Sequence, residues 1–316
     1  MSKVERGLAF LFPGQGSQSV GMLQELHAGH PEVAQTFAEA AAVLGYDLWD
    51  IVSRGPKEGL DATEVTQPAM LAAGVAAYRV WCARSPVRPG WMAGHSLGEY
   101  TALVCAGALG FADGLRLVRE RGRLMQAAVA PGAGAMAALL GLEDDRVVAL
   151  CQAWSRDGEP VAAANFNAPG QVVIAGAAEA VQRAVEAARQ EGAKRAVLLP
   201  VSVPSHCSLM EPAAAALAPL LAAVDIRPPG GPVIHNVDLQ AHSEPDDIRR
   251  ILCRQLHSPV RWTESVRYLA GQGVGRFIEC GPGKVLLGLN KRIVADGRTG
   301  AVATPISLNQ ALELVS

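Results

Sequence analysis

The chain has 316 residues, enough for about two domains of ordinary size. Half of it is hydrophobic, 18% is charged and only 5% is aromatic, which excludes intrinsic disorder. With 28 Lys plus Arg against 30 Asp plus Glu, the formal charge is −2, so there is no global basic field for nucleic acid or an anionic membrane. No apolar run approaches the ~20 residues that cross a bilayer, and the opening segment is too short and glycine-bounded for a signal peptide, so a cytoplasmic protein is expected. Six scattered cysteines show neither a Cys-x-x-Cys pair nor zinc spacing, and are expected to be reduced packing residues with no metal site.

Short apolar runs at residues 8–12, 91–94, 196–200, 232–235 and 276–279 alternate with Ala/Leu-rich helical stretches. This pattern predicts an α/β fold on a mostly parallel sheet, with ligands at the carboxyl ends of the strands. After the first strand comes Phe12-Pro13-Gly14-Gln15-Gly16-Ser17-Gln18. Ser19 stands where a dinucleotide loop needs its third glycine, and no G-x-x-x-x-G-K occurs, so a phosphate cradle is excluded. The loop suits an oxyanion hole, with Gln15 offering one backbone N–H, or else it is a plain structural turn.

The second strand runs into Gly94-His95-Ser96-Leu97-Gly98, a G-x-S-x-G in strand-turn-helix context. Such an elbow exposes the Ser96 hydroxyl at the sheet edge, with the Leu97 N–H beside it as the other oxyanion donor; an N-capping serine is the plain alternative. On a helical wheel, residues 114–129 place Arg121 among Leu117, Val118, Leu124, Met125 and Ala128, while Arg116, Arg119 and Arg123 point away. A guanidinium on an apolar face needs a partner. Either it reads a substrate carboxylate bidentately or it pairs with an acid from elsewhere in the fold.

Residues 132–199 change texture: strand 135–140, helix 144–154, strands 161–164 and 171–175, helix 178–191, strand 195–199. That β-α-β-β-α-β order predicts a ferredoxin-like subdomain inserted into a hydrolase-like α/β core of residues 1–131 and 200–316, with the cleft between them as the site. His206 follows the apolar run at 196–200, taken as a core strand, which would bring it to the same sheet edge as Ser96 as its base. No acid is singled out to orient the ring; a backbone or amide carbonyl can do so.

Together, Phe12–Gln18, Gly94-His95-Ser96-Leu97-Gly98-Glu99-Tyr100, Arg121-Gly122, Asn165-Phe166-Asn167-Ala168-Pro169-Gly170-Gln171, Val203-Pro204-Ser205-His206, Gln255-Leu256 and Glu279-Cys280-Gly281-Pro282-Gly283-Lys284 closely resemble the malonyl-CoA:acyl carrier protein transacylases of type II fatty acid synthesis. The resemblance runs nearly end to end and fades after Arg298. It implies that Ser96 takes the malonyl group as an ester, His206 acts as base and then acid, Arg121 pairs with the malonyl carboxylate, and Gln15 and Leu97 bind the oxyanion. It also implies that the Gln255 backbone carbonyl orients His206 and that Asn167 and Gln171 line the cleft. No cofactor is implied, malonyl-CoA being a substrate. The implied partner is an acidic acyl carrier protein meeting a local basic patch, for which Lys194, Arg195, Lys284, Lys291 and Arg292 are candidates; neither nucleic acid nor membrane is a partner, and a monomer is the expected state. A serine hydrolase or thioesterase, a polyketide acyltransferase acting in trans, and a non-catalytic binding module are the competing readings.

Overall fold

The computed structural model describes residues 2–201 and 203–316. β1 (Lys3–Phe12) leads through α1 (Gln24–Gly29), α2 (Pro31–Leu44), α3 (Leu48–Arg54) and α4 (Lys57–Asp61) to the long α5 (Thr63–Arg84). β2 (Val87–Gly94), α6 (Gly98–Cys105) and α7 (Phe111–Ala127) follow. Next come β3 (Gly134–Leu140), α8 (Asp144–Trp154), β4 (Val161–Ala168), β5 (Gln171–Ala177), α9 (Ala178–Gln190) and β6 (Arg195–Leu198). The chain ends through α10 (Glu211–Ala223), β7 (Val233–Ile234), α11 (Pro245–Gln255), α12 (Trp262–Gly271), β8 (Arg276–Cys280), α13 (Val285–Ile293), β9 (Arg298–Val302) and α14 (Pro305–Glu313).

Five strands form a wholly parallel sheet in the order β7-β2-β1-β8-β9. The run Leu8–Phe12 is unbroken in hydrophobicity because both faces of β1 are covered. Leu8, Phe10 and Phe12 pack toward α5, where Phe10 meets Trp81 edge-on at 5.1 Å, while Ala9 and Leu11 pack toward Trp262, Val266 and Leu269 of α12. Each large side chain fully buried here contributes about 1.5–3 kcal/mol relative to exposure.

The second sheet is antiparallel, in the order β4-β5-β3-β6. On α9, Ala180, Val181, Ala184, Val185 and Ala188 are buried, the i, i+1, i+4, i+5, i+8 stripe of a helix laid on one face of a sheet. The chain is therefore mixed α/β, with a short parallel sheet and a separate antiparallel one. β4 is tied to the main body: Phe166 N–H donates to Val260 O (2.9 Å), Val260 N–H donates to Ala164 O (2.8 Å), and Thr263 Oγ1 donates to Phe166 O (3.0 Å). No helix among the described residues is long and apolar enough to cross a membrane.

Two expectations are corrected. The run at 196–200, expected both as a core strand and, over 195–199, as the last strand of the 132–199 unit, is β6, which pairs with β3 in the antiparallel sheet, so the core reading fails and the other holds. His206 reaches the site along the loop that follows, not from a core strand. Arg298–Val302, which no sequence signal marked, is the fifth parallel strand; its Arg, Thr and Gly hide the apolar end that pairs with β8.

Candidate active site

β2 stops at Gly94 and α6 starts at Gly98, so three residues make the turn between them. The turn is this tight because both glycines abut backbone: a Cβ on Gly94 would lie 1.9 Å from the Gly98 carbonyl carbon, and one on Gly98 would lie 2.0 Å from Phe12 O. Ser96 has φ +52°, a left-handed backbone that costs a non-glycine residue about 1–3 kcal/mol unless its surroundings hold it. His95 N–H donates to Phe12 O (3.0 Å), Gly98 N–H to His95 O (2.9 Å), Ser96 N–H to Asn236 Oδ1 (2.8 Å) and Gln255 Nε2 to Ser96 O (3.0 Å).

Ser96 Oγ donates to His206 Nε2 at 2.7 Å, and the other ring nitrogen, Nδ1, donates to the backbone carbonyl of Gln255 at 2.8 Å. The His206 backbone, itself left-handed at φ +65°, is fixed by its N–H donating to Leu256 O (2.9 Å). Burial, reinforced by the positive charge of Arg121, pushes His206 down to about 3, so the ring is neutral and its Nε2 is free to take a proton. This is a serine–histidine pair oriented by a carbonyl, with no carboxylate in the relay.

Arg121 is 1% exposed, as its place on the apolar face of α7 predicts. Nη1 donates to Gln67 Oε1 (2.8 Å); Nη2 donates to Gln255 Oε1 (3.0 Å) and to Ser96 Oγ (3.2 Å); the Tyr100 ring lies 5.5 Å from the guanidinium carbon. Among the described residues no carboxylate bonds to it, and its Nε has no partner. Two neutral amide oxygens orient the fork without neutralising it. An anion arriving beside Ser96 thus meets a buried guanidinium to which no carboxylate of the described residues is bonded.

Leu97 follows the serine directly, at the start of α6. Gln15 lies in the exposed turn after β1, and that turn packs on the elbow: a Cβ on Gly14 would come 2.4 Å from His95 O. Asn167, on β4 instead of the loop expected for it, accepts from His95 Nε2 at 2.8 Å. Gln171, the first residue of β5, does not join this group; its Oε1 accepts from Arg292, which also donates to Pro169 O at 2.8 Å. The structure therefore brings Ser96, His206, Arg121 and Gln255 together, attaches Asn167 through His95, and leaves Gln171 at the exposed hairpin. Sequence reasoning missed Gln67 and Asn236, whose only signal is that each is a fully buried amide, which sequence does not reveal. No group of three or more His, Cys, Asp or Glu among the described residues could hold a metal ion.

The chain belongs to the acyl transferase domain family, which it matches over residues 9–309. It is 55% identical over 306 residues to the malonyl CoA-acyl carrier protein transacylase of Escherichia coli (strain K12), covering 97% of this chain and 99% of that one. It superposes with a TM-score of 0.97 on the crystal structure of the malonyl-CoA:acyl carrier protein transacylase of Xanthomonas oryzae, 51% identical with 99% of each chain covered. A malonyl-transacylase solved in complex with its type II PKS acyl-carrier protein gives a TM-score of 0.95 at 52% identity, covering 97% of this chain and 99% of that one.

Proposed function

We propose that this acyltransferase moves a malonyl group from coenzyme A to the phosphopantetheine thiol of an acyl carrier protein, for fatty acid biosynthesis, through an ester on Ser96. Ser96 Oγ attacks the thioester carbonyl carbon as His206 Nε2 takes its proton; the oxyanion is met by the N–H groups of Leu97 and Gln15. The carbon–sulfur bond breaks, and coenzyme A leaves as the thiol with the proton from His206. The carrier thiol then gives its proton to His206 and attacks the ester, and Ser96 leaves as the hydroxyl. The observation that carries this reading is the fully buried Arg121 with only neutral amide oxygens and the Ser96 hydroxyl as partners, a charge awaiting a carboxylate.

A cytoplasmic setting, residues 132–199 as a subdomain on a core of residues 1–131 and 200–316, and carrier docking on exposed Lys194, Arg195, Lys284 and Lys291 belong to the same reading. Arg292 is a weaker docking candidate because its guanidinium is engaged by the β4–β5 hairpin. A polyketide carrier is the second reading, favoured by the similarity to the malonyl-transacylase solved with a type II PKS carrier.

Intact mass after brief incubation with malonyl-CoA, followed by holo carrier protein, tests the reaction. The expected result is a malonyl increment that requires Ser96, falls in Arg121→Ala and moves to the carrier thiol. An increment that drains into free malonate regardless of carrier would make the protein a hydrolase, and no increment at all would remove Ser96 as nucleophile.

A further inference from the structure

Three polar side chains that the proposed reaction does not use lie fully buried beneath the nucleophile: Glu99 in the first turn of α6, and His235 and Asn236 just past β7. The Glu99 carboxylate accepts from His235 Nδ1 at 2.6 Å and from the Asn236 backbone N–H at 2.9 Å, gripping two successive residues. The Asn236 side chain spends both its ends on the elbow: Oδ1 accepts from Ser96 N–H at 2.8 Å, and Nδ2 donates to Gly94 O at 2.7 Å. An amide alone offers an acceptor and a donor together at neutral pH; a carboxylate there would face the Gly94 carbonyl, and a leucine would leave both backbone groups unpaired.

We infer that Asn236 is a positioning residue for the nucleophile: its amide holds Ser96 in the left-handed backbone that presents Oγ to His206, and Glu99 with His235 fixes the amide. The inference rests on Ser96 being the nucleophile. One corollary is that the Ser96 N–H is committed to Asn236, so the oxyanion donors come from other residues.

The test uses the full chain and two readouts: labelling of Ser96 by a small alkyl fluorophosphonate, which bonds to Oγ with loss of fluoride and carries no carboxylate for Arg121, and the rate of malonyl-serine formation from malonyl-CoA. Asn236→Ala is expected to slow both about a hundredfold, the effect of moving a reacting group by about an ångström. KM for malonyl-CoA should stay within about threefold, because Gln67 and Gln255, the amides that orient the Arg121 guanidinium, are untouched. In Asn236→Asp the new carboxyl can both accept and donate only when protonated, so its kcat relative to the parent should rise from mildly alkaline to mildly acidic pH. The titratable and charged groups around position 236 are Glu99 on α6, His235 beside it, and Arg261, whose backbone N–H bonds to Asn236 O at 3.2 Å. Parent-level labelling in Asn236→Ala, or a flat pH ratio in Asn236→Asp, would reduce the amide to packing and overturn the inference. Should Asn236→Ala not fold, the pH response of Asn236→Asp decides alone. If the parent is not labelled at Ser96, the nucleophile reading itself fails and the inference goes with it.

Discussion

Arg121 Nη2 lies 3.2 Å from Ser96 Oγ, so the charge proposed to read the substrate also touches the hydroxyl proposed to attack it. The same charge adds to burial in pushing His206 down. A carboxylate paired with Arg121 would offset that charge, removing the smaller of the two causes and leaving burial to hold His206 down.

Arg121→Ala should therefore change selectivity more than fold. Breaking a buried charge pair costs about 3 kcal/mol or more, so kcat/KM for malonyl-CoA should fall by roughly a hundredfold or more, while that for acetyl-CoA holds or rises. Steady-state rates with both donors decide it, and an unchanged malonyl-to-acetyl ratio would refute the assignment.

His206 also leaves a mark on stability. Its folded value of about 3 lies below the ordinary 6.5, so the unfolded chain binds the proton first as pH falls. Stability from this site is present above about 6.5 and drains away as pH falls toward about 3. His206→Gln has no such proton to take up. The Tm advantage of the parent over it should shrink across that window, and a constant difference would count against a buried neutral histidine.

Gly94→Ala should be severe, because the added methyl would meet the Gly98 backbone at 1.9 Å and neither strand nor helix can yield cheaply. A loss of about 3 kcal/mol or more is expected in denaturant unfolding, together with loss of Ser96 acylation. Parent-like stability would mean that the turn is looser than its geometry states.

Glu279 behaves oppositely to His206. Burial lifts its carboxyl to about 7 although the N–H groups of Leu287 (3.0 Å) and Leu286 (3.3 Å) bond to it at the start of α13. With the folded value raised above 4.5, its stabilising contribution is complete below about 4.5 and lost as pH rises through about 7. The swing is roughly 3 kcal/mol. Glu279→Gln should gain on the parent over that interval, as a pH series of unfolding curves would show; parallel curves would contradict it.

What the sequence disclosed was what repeats locally. The elbow glycines stand four apart around a serine, and Arg121 breaks an apolar helical stripe, so both could be placed by counting. The order of elements within 132–199 was legible for the same reason. Gln67 and Asn236 were not, because their meaning comes from segments 54 and 140 residues away from the groups they bond. The run at 196–200 was legible in two ways, as a core strand and as the last strand of the 132–199 unit, and only the pairing of β6 with β3 in the folded chain decides for the second.

β4 is the outermost strand on its side of the antiparallel sheet, where unpaired N–H and C=O groups form a template for other chains. Ala164 and Phe166 spend theirs on Val260 instead. The hydrogen bonds that hold the small sheet to the main body thus also deny that rim to a foreign strand, and a substitution that loosened the seam at Val260 would create an aggregation hazard along with any loss of activity.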